Sequence, residues 1–222
     1  MNRIQQIQYL IQVLLQEMPA YQEQARAFPQ DELSQWRLLR SLMNVRPPMP
    51  LDPSFLAVQD ALLSAEREEK GVVEADALPE RPGHPGIALW QGDITRLKAD
   101  AIVDADNDRL LGCFVPCHSC IDNAIHSAAG LQLRDECSRL MEQQGRPEPT
   151  GQAKLTGGYN LPARYVLHTV GPIIHGRVTP RDREQLASCY RSCLKLASEH
   201  ELQSVAFCCI STGEFHLPNQ EA

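Results

Sequence analysis

Ile4, Ile7, Leu10, Ile11, Leu14, Leu15 and Met18 recur at spacings of three and four, which lays one apolar stripe along a helix. A second helix opens at Asp31, an N-cap residue, and carries Leu33, Trp36, Leu39, Leu42 and Met43. The run Pro47-Pro48-Met49-Pro50 ends it, because proline lacks the amide donor and restricts its predecessor. A third helix starts near Pro53 with Phe55, Leu56, Leu62 and Leu63. From Glu66 to Gly86 the pattern gives way to charge, proline and glycine, as in a linker. Beyond it, short β-prone runs at 87–90, 101–103, 165–169 and 205–210 alternate with helical stretches at 122–144 and 182–200. This alternation predicts an α/β fold, a sheet covered by helices. The expected organisation is a helical N-terminal extension over 1–65, a linker over 66–86 and an α/β domain over 87–222. The extension reads as a cap packed on its neighbour.

Composition narrows the setting. The 222 residues carry a formal charge of −7, and 43% of them are hydrophobic, enough for a packed core. An acidic chain lacks the clustered Lys and Arg that nucleic acid binding requires. No stretch approaches the ~20 apolar residues of a membrane span. The N-terminus MNRIQQIQYL has no secretory pattern, so the eight cysteines are expected in a reducing, cytoplasmic setting.

The densest chemistry is Gly112-Cys113-Phe114-Val115-Pro116-Cys117-His118-Ser119-Cys120. Thiolate and imidazole are the donors that zinc favours, and Gly112 and Pro116 supply the bends that let donors converge. A redox Cys117-x-x-Cys120 pair or plain buried thiols are the alternatives. No second Cys/His pair stands at zinc-finger spacing, and three protein ligands would leave a position open for water or substrate. The other five cysteines sit in apolar or helical contexts and read as core thiols. Asp122 and His126, four apart, share a helix face and can meet one ligand, or serve as an N-cap and a satisfied core histidine. Ser211-Thr212-Gly213 follows an apolar run, at the strand end where α/β sheets bind ligands. A second small-residue region spans 150–158. Either loop could cradle an anion, but each taken alone reads first as a simple turn, and neither matches a phosphate-loop or dinucleotide fingerprint.

Together these residues resemble the zinc-dependent macrodomains, ADP-ribosyl hydrolases of bacteria and other microbes. The matching pieces are Gly92-Asp93-Ile94-Thr95, the stretch GCFVPCHSCIDNAIH from Gly112 to His126, and Ala128-Ala129-Gly130. Further matches are Thr150-Gly151-Gln152-Ala153-Lys154, His168-Thr169-Val170-Gly171-Pro172 and Ser211-Thr212-Gly213-Glu214-Phe215. The helical segment from Ser34 to Pro50 is similar to the family's N-terminal extension. The resemblance implies a macrodomain-like mixed sheet flanked by helices, with ADP-ribose over the strand ends. It implies a Zn²⁺ ion on Cys113, His118 and Cys120, with Cys117 at a variable position. Asp93 and Ile94 would hold the adenine end. Cys120, Ile121, Asp122 and the loop Ser211, Thr212, Gly213, Glu214 and Phe215 would wrap the diphosphate and ribose. Asn107, Asp122 and His126 match catalytic positions near the distal ribose. The implied partners are ADP-ribose and a mono-ADP-ribosylated protein.

Two departures qualify the match. The family's Asn-Ala-Ala-Asn-Ser is here Asp104-Ala105-Asp106-Asn107-Asp108, which exchanges donors for carboxylates that repel a diphosphate or recruit a cation. The string is not a calcium loop, because Arg109 and Val115 stand where glycine and glutamate are needed. Family members also continue past the Ser-Thr-Gly loop, so the resemblance implies a domain incomplete at its C-terminus. The rivals to a hydrolase are an ADP-ribose-binding module without turnover and a zinc-stabilised structural domain.

Overall fold

The computed structural model describes all 222 residues, and its helices follow the apolar periodicity closely. Helices α1 (Arg3–Glu17), α2 (Gln22–Arg26), α3 (Glu32–Val45) and α4 (Pro53–Lys70) form the N-terminal part. Asn2 closes a capping box on α1, Asp31 caps α3 by accepting from the Ser34 amide, and Asp52 caps α4. Ile7, Leu10, Leu14, Leu38, Leu39, Leu42, Phe55 and Leu62 bury their side chains against one another, with Leu131 from the α/β part closing the cluster. The extension therefore has its own core and shares one edge of it.

The remainder runs β1 (Val73–Glu74), β2 (Glu80–Arg81), β3 (His84–Ala88), β4 (Leu97–Lys98), β5 (Ala101–Ala105), α5 (Ile121–Ala129), α6 (Leu131–Gln144), β6 (Ala153–Gly157), β7 (Tyr165–Thr169), α7 (Pro180–Glu199) and β8 (Val205–Ala206). The main sheet has the order β6-β7-β5-β8. β6 is antiparallel to β7, while β7, β5 and β8 run parallel, so the sheet is mixed and flanked by helices. Side chains alternate across β5 as a two-residue period demands: Ala101 and Val103 face α7, and Ile102 faces α5 and α6. On β7, Leu167 joins the α7 side and Val166 the other.

Four expectations need correction. The run 87–90 is not in the main sheet: β3 pairs with β2 in a hairpin, and every residue of β3 is exposed. The 205–210 run yields only Val205–Ala206 as strand, pairing with Ala101 and Ile102. The 122–144 helix is two helices, because Gly130 adopts φ +99° with the Gln59 amide 2.7 Å from where a Cβ would stand. The 150–158 region is no cradle: it supplies edge strand β6, and Gly151 lies against α7, its carbonyl accepting from Ser188 and Ser192. The charged segment opening at Glu66 starts as the last turn of α4, and Gly71 at φ +78° ends that helix. No helix is long and apolar enough to cross a membrane.

Candidate active site

The loop between β5 and α5 is shaped by backbone conformations that short turns require. Leu110, Gly112 and Cys117 all have φ between 51° and 79°. A Cβ on Gly112 would stand 2.8 Å from the His126 ring, so only glycine lets this loop lie on α5. Cys113, His118 and Cys120 come together with one donor atom each, all within 4.8 Å of one another. Cys120 Sγ also caps α5 by accepting from the Asn123 amide at 3.4 Å. Burial pushes the Cys120 thiol up to about 11, with Cys113 beside it adding to the rise, so a thiolate there needs a cation. Two sulfurs and an imidazole are a donor set suited to zinc, and the convergence fits one ion. Cys117 turns away: its Sγ lies 3.3 Å from Ser41 Oγ and donates to the Arg37 carbonyl at 3.5 Å. That orientation removes it from any pair with Cys120.

The extension holds this loop in place. Arg40 donates to the His118 carbonyl at 3.3 Å and to Asn123 Oδ1 at 2.8 Å, and Asn44 Oδ1 accepts from the Cys117 amide at 2.9 Å. Buried Arg134 donates to the carbonyls of Leu111, Met43 and Arg46, and its guanidinium lies 4.3 Å from the centre of the Phe114 ring. Arg40→Ala is expected to lower stability by about 1–3 kcal/mol, since bonds from a charged donor exceed ordinary ones. Thermal melts should drop by a few degrees, with hydrogen exchange accelerated across 113–120.

Asn107, Asp122 and His126 are brought together beside the loop. Asn107 Nδ2 donates to Asp122 Oδ2 at 3.4 Å and to the Gly112 carbonyl at 3.3 Å, and His126 Nε2 is 3.6 Å from Asp122 Oδ1. Asp122 is held well above the usual carboxylate range by burial, then by Asp106 and Asp104. The loop from Ser211 to Phe215 reaches the same place, with Glu214 Oε1 3.5 Å from His118 Nε2. Its anchor is a close approach: Gly171 would place a Cβ 2.0 Å from Ser211 Oγ, and Ser211 itself has φ +66°. The amides of Gly213, Glu214 and Phe215 take no carbonyl of the chain, whereas Thr212 and His216 do. Asp93 caps a short turn, Oδ1 accepting from the Thr95 amide and hydroxyl at 3.0 and 2.7 Å, and Ile94 is buried in the core beneath. Asp93 borders a cavity of about 120 Å³ shared with Trp36, Arg40, Thr95 and Ser127. Arg40, Arg134 and His168 escaped the sequence reading as site residues. Only His168 lay within a motif that could have drawn attention to it.

Comparison with known proteins finds clear relatives. A family model described as Macro domain matches residues 103–222. A protein of Treponema medium named protein-ADP-ribose hydrolase is 51% identical over 96% of this chain and 82% of its own length. A namesake from Staphylococcus aureus strain MSSA476 is 52% identical over 84% of this chain and 70% of its own. Among solved structures, a Trypanosoma brucei macrodomain in complex with ADP-ribose superposes with a TM-score of 0.59 at 36% identity, covering 80% of this chain and 76% of that one.

Proposed function

This chain belongs to the macro domain family, and from that premise we propose that it is a hydrolase releasing ADP-ribose from mono-ADP-ribosylated proteins, with zinc held by Cys113, His118 and Cys120. The observation that carries the reading is the convergence of these three donors next to Glu214, where the Ser211–Phe215 loop meets the opening of α5. In a ligand complex the unpaired amides of Gly213, Glu214 and Phe215 bind the diphosphate, which costs no reorganisation at the moment of reaction. The N-terminal turn of α5, at Ile121 and Asp122, adds the positive end of a helix dipole. The adenine end lies toward Asp93 and Ile94. Fixing the diphosphate sets the distal ribose over Asn107 and Asp122.

Asn107 orients the Asp122 carboxyl through its amide, and Asp122 binds a ribose hydroxyl or relays a proton to or from water. Burial, then Asp106 and Asp104, raise its pKa, a direction that suits a proton relay. His126 is buried behind Asp122, its Nε2 3.6 Å from Asp122 Oδ1, and lies in the floor of the site rather than against the ligand. A bound zinc ion supplies Lewis acidity toward ribose or leaving-group oxygens and lowers the pKa of water. The buried carboxylates Asp104 and Asp106, beneath the site, favour a second reading, an ADP-ribose-binding module without turnover.

The test is ADP-ribose release from a mono-ADP-ribosylated protein, run with and without a zinc chelator. Chelator-sensitive release is expected. Binding of ADP-ribose with no release in either arm would replace the hydrolase by the binding module. Release indifferent to the chelator would remove the metal.

A further inference from the structure

The sheet face that packs on α5 changes character at the C-terminal ends of β5 and β7. Ile102 and Val166 are apolar and fully buried, and the next residues on the same face are Asp104 and His168, paired across the parallel register. Asp106 follows just beyond β5, and His126 closes the cluster from α5. Asp104 and His168 are completely buried, Asp106 is 1% exposed and His126 5% exposed. One carboxylate oxygen or ring nitrogen from each of the four falls within 4.8 Å of the others.

Hydrogen bonding accounts for one contact within this cluster, His168 Nδ1 with Asp106 Oδ2 at 3.2 Å, and leaves the rest unpaired. Both oxygens of Asp104, both ring nitrogens of His126 and Asp122 Oδ1 are buried without a partner. Asp104 Oδ2 lies 3.9 Å from His126 Nε2 and 3.8 Å from His168 Nδ1, while Asp106 Oδ2 lies 3.9 Å and 3.2 Å from the same two nitrogens. Three of these four separations exceed a hydrogen bond. Four ligands set tetrahedrally about 2.0–2.2 Å from a common ion stand about 3.3–3.6 Å apart, close to what is seen. Orphaned buried polar atoms are destabilising, the more so when charged. Burial and the neighbouring Asp106 push Asp104 well above the usual carboxylate range, a strain that a dication would relieve.

We propose that Asp104, Asp106, His126 and His168 form a second, buried metal site, distinct from the Cys113–His118–Cys120 loop, for a divalent first-row transition ion. Two carboxylates and two neutral imidazoles balance a dication, and imidazole nitrogen favours zinc, iron, copper or nickel over calcium, magnesium and manganese. The surroundings suit ligation. His168 Nε2 is 2.9 Å from Thr156 Oγ1, a partner that fixes the ring with Nδ1 toward the carboxylates. Asp106 Oδ1 accepts from the Asn107 amide at 2.7 Å, so Oδ2 faces the cluster, where an ion would replace the proton it shares with His168 Nδ1. Four protein ligands leave no open position, so the ion ties the ends of β5 and β7 to α5 and neutralises the carboxylates under the ribose site.

The experiment strips the full chain with chelator, reloads it with zinc or cobalt, removes unbound metal and measures metal per chain. Two equivalents are expected for the native chain and one for the Asp104→Asn/Asp106→Asn variant, which keeps shape while removing charge. A Cys113→Ser/Cys120→Ser variant should retain one cobalt ion lacking the thiolate-to-cobalt charge-transfer band. Native-like circular dichroism serves as the folding check on both variants. Should the serine variant not fold, the difference between the native chain and the asparagine variant decides alone. One equivalent in the native chain, or equal metal in the native and asparagine chains, overturns the second site and leaves the loop site unaffected.

Discussion

Cys113→Ala or His118→Ala is expected to lower ADP-ribose release by about a hundredfold or more, because a Lewis-acidic ion supplies several kcal/mol of transition-state stabilisation and each 1.36 kcal/mol is tenfold in rate. Steady-state kcat/KM for release, measured beside the zinc content of each variant, checks it. The loss should appear in kcat with ADP-ribose affinity largely retained, since the proposed diphosphate cradle, the amides of Gly213, Glu214 and Phe215, is left intact. Cys117→Ser is the control within the same loop. Cys117 bonds to the Arg37 carbonyl and Ser41, away from the other three donors, so its replacement should change release by no more than about twofold. Full activity in either alanine variant would remove the metal from the mechanism.

Arg134→Met should produce the largest loss of stability, about 3–5 kcal/mol, and a melting temperature lower by about 6–20 °C. The guanidinium is 3% exposed and donates to three backbone carbonyls, Leu111, Met43 and Arg46. Methionine fills the volume and leaves all three acceptors buried and unpaired. Burial lowers the Arg134 pKa to about 10, which still leaves it charged at neutral pH. Arg134→Lys should recover part of the loss, because an ammonium reaches fewer of these acceptors than a planar fork. The residue joins the end of α3 to the loop of Cys113, His118 and Cys120, so the variant should also weaken zinc binding at the proposed site. Differential scanning calorimetry and a competitive chelator titration measure the two effects.

The role of Arg134 shows why part of the site was invisible in the chain. Nothing in Leu133-Arg134-Asp135 distinguishes this arginine from the solvated charges around it, because its partners lie 23, 88 and 91 residues away. Arg40 and Asn44 are similar, lying on a helix that periodicity identifies but whose polar face gives no sign of what it touches. The hairpin at 80–88 reads in the sequence mostly as linker and the edge strand at 153–157 as a small-residue loop, for a related reason. Strand partners are chosen by the sheet, and an isolated β-prone run carries no record of its neighbour. Gly130 splits one expected helix into two because Gln59, from the extension, occupies the space a side chain would need.

Local chemistry by itself determined the helices, whose apolar periodicity and caps at Asp31 and Asp52 are written within a few residues. It also marked the loop 113–120 as the densest run of sulfur and imidazole donors, whereas the choice of Cys113, His118 and Cys120 among them came from the family resemblance. Only the tertiary structure decided that Cys117 faces the extension, and that Glu214 meets His118 across 96 residues of chain. It alone gathered Asp104, Asp106, His126 and His168 into one buried cluster. Those four come from two parallel strand ends and a helix, and parallel register, unlike helical spacing, exists only once the sheet has formed.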